Sequence, residues 1–427
     1  MFPGFFFPSL SSVSILCWLW KHSVFAQQVG SGTSGLGWFS FSCNWNSASN
    51  MGDPLAIPKT VVYHVLVGVI LSLCIMTPAI YYTNSFDTRK FPLFSVDLFD
   101  KYGRRYDIHR VSGINDLRLN ITAYEEYSPV FLSSSAISAY GFMLAAISCS
   151  MIYVLISYGR ELWNQIKEDR YKWLMKNYEP LPRFWFFVVF LVALILGFIS
   201  SAVGLGPEVD LPVSEILLSC VVVLVMIVPT GIFMATTGQL VGLVFGSTVG
   251  FGEIWFHLDA IRGHCLKDSD KCPWLDIVYT STKLWGVIGP IQLIKDGIYT
   301  WSIIAFVVIT MTLQALLCLF SEKAIVLRRI NLPIILVAAA AIPPAMPADV
   351  NLWLVIGIFV PKILGKYFDD RSYVYQYLLS VSLTAGAGLM VFFFYLGGSP
   401  LLQSPTSTCP LATCPTAAGI IVDDCPN

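Results

Sequence analysis

The sequence predicts an all-α, polytopic integral membrane protein with broken or re-entrant helices, a single membrane unit over residues 1–427, and three observations predict it. Only 12% of the residues are charged while 56% are hydrophobic, against about 25% charged in soluble globular chains. The charges are also segregated. No Asp, Glu, Lys or Arg occurs in 60–86, 127–159, 184–207, 216–252, 297–321 or 372–422, and most of these runs exceed the roughly 20 residues that cross a bilayer as a helix. Third, the apolar stretch Asn331–Lys362 carries Pro343, Pro344 and Pro347 in its middle, followed by Asp349. An interior proline removes a backbone donor and clashes with the preceding turn, at about 3 kcal/mol. In hydrocarbon the freed carbonyls find no water, so such a break belongs inside protein or beside a wet cavity. Transporters build substrate sites from half-helices that meet this way; a kinked span or a tight hairpin without ligand is the plainer reading.

Taken in order, residues 1–20 are apolar with Pro3 and Pro8 and read as a span or half-span. The polar, nearly uncharged stretch 21–58 contains a small-residue run over 30–37, which suits a structured loop dipping into the protein. Thr60–Thr83 is a span with His64 near its start and Pro78 near its end. An extramembrane loop, 84–130, follows; within 87–126 seven basic residues face seven acidic ones, and the sequon at Asn120 makes it a glycosylation candidate. Ser135–Tyr158 is the next span. Segment 160–183 holds six basic and four acidic residues, with Trp163, Ile166, Trp173 and Leu174 as an imperfect apolar face. It reads as an interfacial helix or a solvated connector.

Phe184–Leu205 is a span, and Ser214–Trp255 is long enough for two crossings divided around 229–239. The weakly apolar 277–294 contains Lys283 and breaks at Gly289-Pro290, as a re-entrant segment does. Tyr299–Phe320 and Tyr373–Leu396 are spans, and the tail 399–427 is charge-poor with Pro, Thr and Cys. Basic clusters at 160–183, 323–330 and 362–371 favour the cytoplasmic side. That places the tail and loop 84–130 outside if 277–294 re-enters and 331–361 is a hairpin.

Several classes are disfavoured. A net charge of −1 argues against a nucleic-acid partner. Cys17, Cys74, Cys149, Cys220 and Cys318 lie in apolar runs and read as small hydrophobes. Cys265 with Cys272, and the tail cysteines Cys409, Cys414 and Cys425, are open to oxidation if they face outside, the first two forming the disulfide candidate. The tail spacing matches no zinc pattern, so no metal or other cofactor is expected. Gly32-Thr33-Ser34-Gly35 fits a G-x-S-G string, and an intramembrane serine protease would need the Ser34 hydroxyl at an imidazole such as His64. The string is short, and no catalytic residue is assigned.

Ionisable residues in membrane segments are costly and functional by default. His64, Glu215, Glu253, Lys283 and Asp349 are the candidates; both glutamates lie near segment ends, where they reach water. Asp349, beside a proline break, suits a proton carrier or a partner for a substrate ammonium, and equally a cap for the second half-helix.

Several strings in order then resemble the oligopeptide transporter family: Phe2-Pro-Gly4, the Gly/Ser run 30–37, Tyr81-Tyr-Thr-Asn84 leading to Phe86-Asp-Thr-Arg-Lys-Phe-Pro92, and Leu98-Phe-Asp100. Pro229-Thr-Gly-Ile-Phe-Met-Ala-Thr-Thr237, Cys272-Pro273, Trp285-Gly-Val-Ile-Gly-Pro290, Pro343-Pro-Ala-Met-Pro347 with Trp353, and Tyr375-Gln-Tyr-Leu-Leu-Ser380 follow. The resemblance implies a proton-coupled importer of tetra- or pentapeptides or glutathione-like peptides, in the plasma membrane or another endomembrane. Its substrate path would be lined by Pro343, Pro344, Pro347, Asp349, Trp353, Pro229, Thr236, Thr237, Trp285, Gly289, Pro290 and Tyr375. Asp349, Glu215, Glu253 and His64 are the proton-coupling candidates, and half-helix N-termini would meet the peptide carboxylate. The pattern departs from the family in lacking its N-terminal spans and an internal stretch, since Gly238-Gln239 runs almost directly into Val249-Gly250. Met346 stands for the family's usual Thr and Thr384 for its Asp. A shortened, non-transporting membrane protein is the alternative reading.

Overall fold

The computed structural model describes residues 12–43, 45–49, 52–111, 119–167, 288–320, 330–368, 372–396 and 409–420, with single positions within 184–195 and at 221, 284, 422, 425 and 426. These are mostly helical, with two antiparallel two-stranded ribbons. The first ribbon pairs β1 (Ser12–Ser14) with β2 (Ser40–Ser42). Between them lie α1 (Ile15–Leu19) and α2 (Val24–Gly30), the latter started by the Ser23 hydroxyl accepting from the Ala26 amide. Residues 12–20 are thus a strand and one short helix, not a full crossing, since the serines at 12 and 14 favour pairing over a lipid-facing helix; the rest of the expected span or half-span, 1–11, lies outside the described residues. After α3 (Trp45–Ser49) comes α4, Lys59–Tyr82, whose middle, Ile70–Met76, widens to a π-helix. Pro78 lies just beyond; its ring crowds the carbonyl four residues back, and the looser ladder makes room for it.

Loop 84–130 folds on itself. β3 (Leu98–Phe99) pairs with β4 (Phe131–Leu132), and α5 (Ile121–Tyr127) is capped by Asn120, which accepts from Ala123 N. A Ser-rich turn then opens α6 (Ser134–Lys167). This helix runs unbroken through 160–167, so that part of the expected interfacial segment continues the preceding span; 168–183 lies outside the described residues. Further on come α7 (Gly289–Asp296), α8 (Thr300–Phe320), α9 (Leu332–Ala340), α10 (Pro347–Phe368) and α11 (Ser372–Leu396).

Among the described residues four helices are long and apolar enough to cross a membrane: Lys59–Tyr82, Ser134–Ser157, Thr300–Phe320 and Pro347–Tyr367. The distribution of polarity on α8 is that of a lipid-bathed helix. Its buried residues are Thr310 and Gln314, while Trp301, Ile309 and Leu319 are 78%, 63% and 65% exposed. In water that arrangement would cost burial energy; in lipid the apolar face has its solvent and the polar groups serve as contacts between helices.

The broken segment packs around α4. Asn331 N donates to His64 Nε2 at 3.0 Å, and Ile335, Ala338 and Ala339 lie over Gly68, so α9 runs in the same sense as α4. The turn 341–346 follows, with Ile342–Pro343 and Pro343–Pro344 both cis. Then α10 returns past the start of α4, where Gly357 lies over Val62. The segment is a hairpin in direction, as expected. Its arms share no extended contact, however, because α4 lies against both. Nine residues of α9 rise about 13 Å, so a helix that begins beside His64 ends level with the middle of Lys59–Tyr82. The proline turn therefore sits level with the middle of that candidate span, where Leu71 and Met76 of the π-helix pack with Ala339 and Ala340.

Candidate functional site

Irregular backbone at that depth needs internal partners, and the chain supplies them from 27–54. Ala348 N donates to Gly32 O at 3.1 Å. Asn351 Nδ2 donates to both Gly37 O (2.8 Å) and Ser40 O (2.9 Å), and Trp353 Nε1 donates to Gly52 O (2.7 Å). Farther along, Gly357 approaches the Pro54 carbonyl. Residues 32–43 and 52–54, with the short helix α3 between them, thus lie along the first half of α10 as a strap. The strap needs its glycines. Gly37 has φ +71° and a Cβ there would stand 2.3 Å from Pro347 Cβ; one at Gly32 would stand 2.6 Å from Ala348 Cβ. The small-residue run is the loop dipping into the protein that its composition suggests.

Of the substrate-path candidates, Pro343 and Pro347 are buried, Pro344 is exposed, and Asp349 is 8% exposed. The Asp349 carboxyl faces the Ser42 hydroxyl, without a well-formed hydrogen bond between them. Trp353 is 1% exposed and holds the strap as a packing residue, while Tyr375 is 39% exposed on α11. The expectation that the N-terminus of α10 receives a peptide carboxylate is overturned. Pro347 has no amide hydrogen, Ala348 N is taken by Gly32 O, and Asp349 N and Val350 N by Met346 O.

Gly289 and Pro290 do open a helix, α7, with Gly289 at φ +77°. It belongs elsewhere, though. Ile288 and Leu293 join Tyr124, Tyr106 and Tyr299 in the core beneath the polar loop, whereas Ile342 and Val350 join Val65, Val69 and Tyr81. The two breaks are in separate cores. His64 is also distant in role: Nδ1 lies 2.6 Å from Thr60 O and Nε2 accepts from Asn331 N, so neither nitrogen is offered to Ser34. Glu215, Glu253, Pro229, Thr236, Thr237, Cys265, Cys272, Lys283 and Trp285 lie outside the described residues. Asn120 is exposed, its Oδ1 engaged by Thr122 and Ala123.

The tail closes one end. Cys17 is bonded to Cys409 and Cys414 to Cys425, so Cys17 is not the free apolar thiol its surroundings suggest, and tail oxidation is as expected. The short 3-10 turn Pro410–Thr413 seats on α2. Sequence reasoning missed Gln27, Gln28 and Asn351; the signal was there, as uncharged amides inside otherwise apolar or small-residue stretches.

In the polar loop, Tyr124 donates to Asp296 at 2.6 Å and accepts from Val130 N. Burial first, and then the neighbouring carboxylate, push its phenol well above the ordinary tyrosine range. Tyr106 is pushed up chiefly by burial as well.

The model of the OPT oligopeptide transporter protein family matches residues 1–240 and 237–397. The two matches meet where Gly238-Gln239 runs into Val249-Gly250, as an absent internal stretch requires. Oligopeptide transporter 1 of Arabidopsis thaliana is 28% identical over 515 aligned positions, covering 99% of this chain and 68% of that protein. Oligopeptide transporter 3 is 29% identical, with 99% and 69% covered, and oligopeptide transporter 7 is 28% identical, with 100% and 66% covered. No solved structure matches. With a family match over most of its length and helices laid out for lipid, the chain is a membrane protein and belongs to the OPT oligopeptide transporter family.

Proposed function

We propose that the chain imports small peptides, of four or five residues or glutathione-like, across a membrane together with protons that enter on the same side. One observation carries the reading beyond family membership. Asp349 is an ionisable side chain held level with the middle of the candidate span Lys59–Tyr82, in the first turn of a helix that begins there, with no cation beside it among the described residues. A carboxyl in that setting takes up and releases a proton as its surroundings open to water on one side or the other. Each charge moved through 100 mV yields about 2.3 kcal/mol, a roughly fifty-fold accumulation, so one proton per peptide suffices. Glu215, Glu253 and His64 stand as secondary coupling candidates.

The tail disulfides and the exposed Asn120 favour an oxidising, non-cytosolic side for residues 12–20, loop 84–130 and the tail. That orientation leaves the basic clusters at 323–330 and 362–371 inside, and a plasma-membrane location fits it. The test is uptake of a labelled tetrapeptide by cells lacking their own carriers, with and without a proton gradient. Wild type is expected to accumulate the peptide only with the gradient, and Asp349→Asn to equilibrate it without accumulation. Well-expressed protein that never raises internal peptide above the external level rejects active transport.

A further inference from the structure

We infer that Gln27, Gln28, Tyr81 and Arg89 form a peptide-binding site that reads main-chain groups, and that in this structure the chain's own tail, 411–417, occupies it as a tethered pseudo-substrate clasped by disulfides. The inference rests on the peptide-carrier reading and deepens it. The contacts are mostly to the tail's main chain, first in the 3-10 turn Pro410–Thr413 and then in the residues that follow it. Gln27 Oε1 accepts from Leu411 N at 2.7 Å, and Gln28 Nε2 donates to Cys414 O at 2.9 Å and Tyr81 OH at 3.0 Å. Arg89 O accepts from Thr416 N (3.0 Å) and Ala417 N (3.1 Å), and the Thr416 hydroxyl donates to Tyr81 OH at 2.9 Å. Five of these six bonds ignore the tail's side chains or link the receptor to itself, so any peptide of similar trace satisfies them.

The tail leaves part of the site unanswered. Gln28 is 0% exposed, yet its Oε1 has no hydrogen-bond partner among the described residues; nor do Arg89 Nε and the Tyr82 hydroxyl, which are also buried. The Arg89 guanidinium donates to Tyr82 O, so these groups lie together. A buried, unpaired donor or acceptor costs about 1–3 kcal/mol, and a guanidinium beside one is matched by a carboxylate. The tail is mid-chain where it crosses the site and brings no terminus. A free peptide brings a carboxylate for Arg89 and an ammonium for Gln28 Oε1.

The clasp sets the occupancy. The Cys17–Cys409 bond pins the tail two residues from Leu411. Two equivalents of a low-molecular-weight thiol reduce it: the S–S bond breaks, Cys17 and Cys409 leave as thiols with the two protons, and the thiols join as their disulfide. The tail is then held by chain connectivity alone, at an effective concentration on the order of mM.

Binding of tritiated tetra-alanine to the purified full chain in lipid nanodiscs tests this, before and after dithiothreitol. The apparent Kd is expected to fall about tenfold or more on reduction, and to fall likewise without reductant in Leu411→Pro, which removes the amide that Gln27 holds. In reduced protein, Gln28→Met and Arg89→Gln should lose binding while still unfolding cooperatively, and amidated tetra-alanine should bind more weakly than the free acid. Equal affinity before and after reduction, with Leu411→Pro also unchanged, overturns the pseudo-substrate and leaves the carrier reading standing. No binding in any state, by protein that still unfolds cooperatively, removes both.

Discussion

Asn351→Ala tests whether the strap 32–54 holds the proline break open or merely lies beside it. The side-chain amide spends both of its hydrogens on the strap, one on Gly37 O and one on Ser40 O. Truncation removes a donor from each carbonyl, although Gly37 O keeps the Ser40 amide and hydroxyl. An orphaned buried acceptor costs about 1–3 kcal/mol in soluble proteins, and bonds between membrane helices average nearer 0.6 kcal/mol. Two lost bonds therefore place the destabilisation at about 1–4 kcal/mol. Asn351→Asp separates hydrogen bonding from volume: it keeps the shape, removes both donors and sets a carboxyl against two carbonyl oxygens, so it should cost at least as much as alanine. Thermal unfolding in detergent, followed by labelling of the buried Cys149 thiol as it becomes accessible, gives the readout. Both variants are expected to expose Cys149 at lower temperature than wild type, with aspartate no higher than alanine. An aspartate variant that unfolds with wild type refutes the reasoning, because no donor would then be needed at that position.

Other perturbations follow from single contacts. Gly68→Ala should lower the unfolding temperature and the yield, since its Cβ would stand 2.3 Å from the Ile335 carbonyl oxygen; Gly386→Ala, with open space around it among the described residues, should change neither. Tyr124→Phe removes the hydrogen bond to Asp296 and leaves Val130 N unpaired, a loss of about 1–3 kcal/mol at neutral pH. The wild-type phenol stays protonated in the fold after its unfolded counterpart ionises near pH 10. Stability is therefore full below pH 10 and falls above it by up to about 1.4 kcal/mol per pH unit for this group. Alkaline unfolding should accordingly be shallower in Tyr124→Phe, and equal slopes would remove the buried-phenol account. Ser34→Ala should leave stability and peptide uptake unchanged, because Ser34 contributes its backbone amide, to the Ser31 hydroxyl, and not its side chain.

The membrane-spanning helices were legible because lipid imposes a length and an absence of charge, and both are visible residue by residue. Lys59–Tyr82, Thr300–Phe320 and the proline break fell where those rules put them. What stayed hidden depends on contacts between distant parts of the chain. Residues 1–20 have a span's composition, but the serines at 12 and 14 pair with those at 42 and 40, a register no local pattern announces. Cys17 sits in an apolar run and finds its partner 392 residues away. Asn351 looks like an unremarkable polar residue two positions after Asp349 until the strap carbonyls appear in front of it.

The same distinction explains why the broken segment is a sounder landmark than the charges around it. A proline break level with the middle of a span creates a fixed number of unmatched backbone groups, and hydrocarbon forces the fold to match them. Here Gly32 O takes Ala348 N and Met346 O takes the next two amides, which is why the start of α10 has no capacity left for a ligand. The unmet demand among the described residues lies with side chains, Gln28 Oε1 and Arg89 Nε beneath the tail among them, while the Asp349 carboxyl is buried at the turn. Backbone groups must be satisfied for the protein to fold at all, whereas a side chain can wait for what it carries. In a membrane protein that difference points to cargo. It predicts that Asp349→Asn and Gln28→Met will fold better than Asn351→Ala and transport worse, an ordering that paired unfolding and uptake measurements on the three variants will establish or reverse.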